Sequence, residues 1–258
     1  MRFPLRHLLI ILAVGLVALG CQNEPPGPAD QLIDSWIAAA GGPDAWDQVK
    51  DIRYTVTTVW FDSTGTEVRR RPRFVWGKKG PQRALIERDE TEGHYVQAHD
   101  GRGSTWATLN GESLADTTKA VREVLYIGAD VMYWIGLPYK LRDPGVNLSY
   151  VPADSTGYPG VKVTFGEGVG EHSGDRYFYY FTQEAPEPLE VHYIEEGRTS
   201  VSRTRWRDFQ KAGPITYVGT RTWYNDRGIN TKRLIISDVV LNNGIPDSLF
   251  QRPGLRAR

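Results

Sequence analysis

Ile52-Arg53-Tyr54-Thr55-Val56-Thr57-Thr58-Val59-Trp60 alternates large or apolar side chains with polar ones, and Asp62-Ser63-Thr64-Gly65 ends the run. A period of two, rich in β-branched and aromatic residues, predicts a strand with one face turned to a core. The next segment, Thr66 to Trp76, keeps that period. It sets Val68, Phe74 and Trp76 on one face and Glu67, Arg69, Arg71 and Arg73 on the other. Beyond it, Gln82–Arg88, His94–Ala98 and Ser104–Leu109 read as further strands, separated by the tight-turn dipeptides Asp100-Gly101 and Asn110-Gly111. After a break the pattern resumes over Asn147–Val151, Val161–Phe165, Arg176–Phe181, Leu189–Glu195, Thr199–Phe209, Ile215–Tyr224 and Ile229–Leu241. Short connections throughout make this an antiparallel meander, and a sheet so wide must curl.

Two helical segments interrupt the meander. Asp30 is a plausible N-cap for Gln31–Ala40, in which Leu32, Ile33, Trp36 and Ile37 form one apolar stripe before Gly41-Gly42. Pro43 then opens a short helical turn through Trp46 and Val49. The break near residue 119 predicts a helix from Lys119 to Ile135, closed by Pro138. Val121, Leu125, Met132 and Ile135 share one face, while Val124, Ile127, Val131 and Trp134 widen it, so this helix should be buried on several sides or cover something apolar. The expected fold class is mostly β (α+β): a curved, half-open antiparallel barrel of roughly eleven strands, its helices packed in the concave side as a lid.

The N-terminus carries a different message. Arg2 and Arg6 precede an apolar run from Leu8 to Leu19 that is too short to span a hydrocarbon core of roughly 30 Å. It has the form of an export signal over residues 1–20. Ala18-Leu19-Gly20-Cys21 looks like a lipobox, and Cys21 is the single cysteine of the chain. The reading is lipidation at Cys21 and a Pro-rich spacer over 21–29, then one domain over 30–253 and a tail over 254–258. Gln22 after the cysteine, in place of Asp, favours an outer membrane facing the periplasm. Lys plus Arg and Asp plus Glu both number 31, so the net charge of zero provides no pull toward nucleic acid.

No constellation for chemistry stands out. His94 and His99 lack zinc-like spacing, and His172 and His192 are remote. Gly166-Glu167-Gly168-Val169-Gly170-Glu171 lacks the lysine and following helix of a phosphate loop. No Gly-x-Ser-x-Gly elbow is present. The expectation is no catalytic residue, no metal and no cofactor. Arg69, Arg71 and Arg73 project from one strand face, either as an outward charged face, the favoured reading, or toward a phosphate or glycan. Residues expected near any cavity are Trp36, Trp60, Val121, Leu125, Met132 and Trp134.

Three stretches carry a family resemblance: Ala39-Ala40-Gly41-Gly42-Pro43-Asp44-Ala45-Trp46 followed by Ile52-Arg53-Tyr54; the middle segment Leu137-Pro138-Tyr139-Lys140-Leu141-Arg142-Asp143-Pro144-Gly145; and the closing Ile236–Asn242 with Pro246-Asp247-Ser248-Leu249-Phe250. Together they resemble LolA/LolB-like domains over about Asp30 to Pro253. The resemblance implies a half-open β-barrel with helices over an apolar cavity for lipoprotein acyl chains or lipids, and no catalytic residues. A chain tethered at Cys21 would sit nearer the membrane-bound receptor than the soluble shuttle. The functional expectation is a tethered, non-catalytic lipid or acyl-chain binder. A structural or partner-binding lipoprotein with a filled core is the alternative, and an envelope hydrolase the third.

Overall fold

The computed structural model describes residues 25–80, 83–153, 157–169 and 173–254, with the side chains of 125–130 outside the description. The export segment, Cys21, His172 and the end of the Gly166–Glu171 run lie outside the described residues.

Among the described residues, thirteen strands form one antiparallel sheet. The first arm comprises β1 (Asp51–Phe61), β2 (Glu67–Lys78), β3 (Arg83–Glu90), β4 (Gly93–His99), β5 (Thr105–Leu109) and β6 (Glu112–Ser113). The second comprises β7 (Val146–Val151), β8 (Gly160–Phe165), β9 (Arg176–Phe181), β10 (Pro188–Ile194), β11 (Ser202–Ala212), β12 (Ile215–Tyr224) and β13 (Asn230–Leu241). Each arm is a meander, and they join where β1 pairs with β13, giving the order β6-β5-β4-β3-β2-β1-β13-β12-β11-β10-β9-β8-β7. The sheet is therefore not closed, because β6 and β7 are its edges. The count exceeds the expected eleven partly because the Asn110-Gly111 turn adds the two-residue β6.

The helices fill the two arms from within. α1 (Pro28–Ala39) lies on β7 and β8, and α2 (Lys119–Tyr133) lies on β2 through β5. α1 begins ahead of the expected Gln31 because Pro28 fits the first turn, where a missing N–H costs nothing. Asp30 is consequently inside that turn, and its carboxylate and that of Asp34 accept from Arg142 at 2.5 Å each. Arg142 ends the 3-10 turn Tyr139–Arg142 that follows α2, so this guanidinium links the two helical regions. Tyr139 adds a buried hydroxyl donated to the Ala40 carbonyl at 2.7 Å and a ring stacked on Trp46.

α2 packs closely on the sheet at Gly77. A Cβ at Gly77 would lie 2.7 Å from both Met132 Sδ and Val131 Cγ1, so only glycine admits the helix at this distance. The buried Tyr54 hydroxyl donates to the Val131 carbonyl at 2.9 Å and fixes that end of α2 to β1.

The convex side of the first arm is also covered. Trp76, Leu85, Ala98 and Trp106 pack against Ile245, Leu249 and Phe250 of the C-terminal segment, and Trp106 Nε1 donates to the Phe250 carbonyl at 2.8 Å. Buried Asp51 secures that segment by accepting from the backbone N–H groups of Asn243, Gly244 and Ile245 at 2.6, 3.1 and 3.2 Å.

Candidate functional site

Beside the end of α2 the concave sheet retains a cavity of about 520 Å³, within the usual range for a small-molecule site. Cross-strand register builds its floor in rows. One row runs Arg71, Thr58, Leu234, Arg221, Trp206 across β2, β1, β13, β12 and β11. A second runs Trp60, Lys232, Trp223, Thr204, Val191. A third sets Arg73, Val56 and Ile236 side by side. Tyr54, Val75, Ile86 and Val131 complete a buried apolar end, whereas Trp60, Trp223 and Glu195 are only half-buried and lie toward the rim.

The lining is mixed rather than wholly apolar, which corrects the expectation. Arg71, Arg73, Arg221 and Lys232 project into it, with Asp175 and Glu195 as the lining acids. The parity of β2 is the reason. Val75 is 3 % exposed, while Phe74 and Val68 are 47 % and 61 % exposed, so the face bearing the arginines is the inner one. Trp76 must point outward to meet the C-terminal segment, and alternation then turns Arg71, Arg73 and Val75 inward. The favoured reading of Arg71 and Arg73 as an outward solvated face is therefore wrong. Arg69 remains largely exposed at the end of the series.

Burial leaves these cations poorly matched. Desolvation pushes the Arg73 pKa down, and Arg71 adds repulsion. Desolvation likewise lowers the Lys232 ammonium, with Arg73 and Arg221 contributing, so these charges act on one another across the floor. Arg71 is also lowered by desolvation, although it pairs with Glu90, a carboxylate shared with Arg69 at 3.4 Å and Arg88 at 2.9 Å. Aromatic rings supply part of the compensation. Arg221 lies 4.5 Å from the Trp134 ring centre, Lys232 3.9 Å from that of Trp223, and Arg69 4.9 Å from that of Trp60.

Of the residues singled out from sequence, Trp60 and Trp134 are in the lining. Trp36 is not: it packs in the core against Tyr179, Phe181 and Trp206 with ring centres 5.8, 6.1 and 6.2 Å away. Met132 is used in the seating of α2 over Gly77. Val121 lies with Ala107 and Ala120 in a separate small cluster. Leu125 belongs to α2, but its side chain is outside the described residues. Sequence reasoning passed over Tyr177, Tyr193, Trp206 and Trp223, whose alternation on their strands was the available clue.

A second polar cluster lies outside the cavity. On β10, β11 and β12, Glu190 accepts from Tyr224 at 2.7 Å and from Arg205 at 3.2 Å, and lies 3.1 Å from His192 Nε2. The hydrogen bond with His192, then those with Tyr224 and Arg205, lower the Glu190 pKa to about 2. These residues are absent from the cavity lining, and every member is engaged within the cluster. Among the described residues no group of three or more His, Cys, Asp or Glu could hold a metal ion, and no helix is long and apolar enough to cross a membrane.

A sequence family of unknown function, DUF6503, matches residues 110–211. No curated protein matches the chain in sequence. A LolA superfamily protein from Nitrosomonas europaea is similar in structure, with TM-score 0.57, 11% identity, and coverage of 89% of this chain and 100% of that one. A DUF1329 family protein from Desulfovibrio piger gives TM-score 0.54, 14% identity and the same coverages. A putative outer membrane lipoprotein-sorting protein domain from Vibrio parahaemolyticus gives 0.49, 12%, 88% and 97%. The fold is LolA/LolB-like, as the sequence resemblance implies.

Proposed function

We propose that this chain is a membrane-tethered binding protein that holds an acyl chain of a lipid or lipoprotein in its concave cavity and catalyses no reaction. One observation carries the reading: the space of about 520 Å³ left over the inner face of the sheet beside the end of α2, with an apolar end formed by Val56, Val75, Ile86 and Val131. A filled-core scaffold, the alternative reading, has no use for such a space, because interiors otherwise pack to near-crystalline density. Likeness of fold to the LolA superfamily supports the same ligand class. The tether is the lipid expected on Cys21 after removal of residues 1–20, which would place the domain in the cell envelope, at the outer membrane facing the periplasm. In this reading α2 is the lid, and its bond to Tyr54 is the latch.

The test is direct. The mature chain carrying Cys21→Ala is purified, extracted with organic solvent and analysed by mass spectrometry, and a fluorescent fatty acid is titrated against it. Stoichiometric co-purified lipid or saturable displacement is expected. No extracted lipid together with no fatty-acid binding overturns the reading.

A further inference from the structure

The cavity is too charged for a plain acyl-chain tunnel. Arg73 Nε and Arg71 Nε are buried and have no hydrogen-bond partner. Arg73 and Lys232 make no ion pair among the described residues, and the Lys232 ammonium lies 3.9 Å from the Trp223 ring centre. The lining acids offset them only in part, since Glu195 raises the Lys232 pKa without outweighing its desolvation. Asp175 accepts from the Tyr177 hydroxyl at 3.0 Å and the Glu196 N–H at 2.8 Å, and Glu195 pairs with Arg198 at 2.8 Å. A fold gains nothing in stability from buried cations without counter-charges, since each gives up its hydration. Their arrangement makes sense with an anion between them.

The rows of the floor set the geometry. Arg73 is flanked by Val56, itself beside Ile236, and the next row toward the rim contains Arg71, Thr58 and Leu234. A row further out, Lys232 stands between Trp60 and Trp223. The cations thus ring the outer part of a floor whose inner end, at Val75, Ile86 and Val131, is apolar. That is a division between a charged head and a hydrocarbon tail. We infer that the occupant is an amphiphile with an oxyanion head, a phosphate or carboxylate, held between Arg73, Lys232 and Arg71, its alkyl chain running over Val56 and Val75 toward Val131. This rests on the acyl-chain reading of the cavity and names the chemistry of the other end of the ligand. Guanidinium groups suit the head, since their planar N–H pairs match oxyanion geometry.

Three probes of simple composition test it by calorimetry on the mature Cys21→Ala chain: dodecyl phosphate, dodecanol and inorganic phosphate. Dodecyl phosphate should bind at least about tenfold tighter than dodecanol, which corresponds to ~1.4 kcal/mol, and inorganic phosphate alone should bind far more weakly than dodecyl phosphate. Raising salt should weaken dodecyl phosphate and leave dodecanol unmoved. Arg73→Met with Lys232→Met should erase the preference for the charged head without lowering the melting temperature, because unpaired cations are what the change removes. If that pair fails to fold, Lys232→Met alone at the half-exposed rim should still reduce the preference. Equal affinity for dodecanol and dodecyl phosphate overturns the anionic head and leaves the acyl-chain reading standing. Binding of neither dodecyl ligand overturns both. Inorganic phosphate binding as tightly as dodecyl phosphate overturns the amphiphile.

Discussion

The concave sheet is treated differently over its second arm and over its central strip, although both are lined with aromatic rings. Over β9 and β11, Trp36 of α1 meets Tyr179, Phe181 and Trp206 in tilted and edge-to-face contacts, and the space is filled, with Trp206 as the boundary because it also lines the cavity. Over β1, β13 and β12, Trp60, Trp134 and Trp223 instead stand beside Arg69, Arg221 and Lys232, and the space stays open. The same residue type therefore does two jobs. Around Trp36 ring against ring closes a core and excludes water. Ring against cation holds a wall apart, because neither the charge nor its hydration can be squeezed out cheaply.

The comparison predicts a graded series. Trp36→Ala should be the most damaging, lowering the free energy of unfolding by about 3–5 kcal/mol in urea titrations, as for other large-to-small changes in packed cores. A loss below about 1 kcal/mol would break the claim that this half is filled. Gly77→Ala comes next, costing about 1–3 kcal/mol because the new methyl would meet Met132 and Val131. Hydrogen exchange should show α2 loosened while α1 keeps its protection. Tyr54→Phe should cost about 1 kcal/mol by leaving the Val131 carbonyl without its partner. It should also speed fatty-acid association if lifting of α2 gates the cavity; an unchanged rate would remove the latch. Trp60→Ala should have the smallest effect on folding, about 0.5–1 kcal/mol from lost contact with Arg69 and Arg71. Its larger effect should appear in ligand affinity, the reverse of Trp36→Ala.

Much of this was legible in the chain. Alternation over Ile52–Trp60 places Tyr54, Val56, Thr58 and Trp60 together, and those side chains line the cavity. The Asp62-Ser63-Thr64-Gly65 turn is built as its residues suggest, with Asp62 accepting from the N–H groups of Thr64 and Thr66 at 2.8 and 3.0 Å. The β2 arginines were a harder case. Alternation separates two faces but does not say which is inner, and charge is a misleading guide. What decides is Trp76, whose partners Leu249 and Phe250 lie at the other end of the sequence. The role of Asp51 was hidden for the same reason, since its amide partners are nearly two hundred residues away. Likewise Trp36 and Trp60 are indistinguishable as letters; only the neighbours supplied by other strands make one a core residue and the other a wall.

Joining the arms through β1 and β13 also has a temporal consequence. Lys50 and Asn242, bonded at 2.8 Å at this seam, are 192 positions apart. Each doubling of a closed loop adds only about 0.6 kcal/mol of entropy cost, so the seam is thermodynamically mild. Kinetically it is late, because contacts of such separation slow folding. A chain emerging from its N-terminus cannot complete the sheet until β13, nearly its last element, has appeared. Whatever fills the cavity must therefore arrive after β13 has been made, since until then the floor lacks Lys232, Leu234 and Ile236.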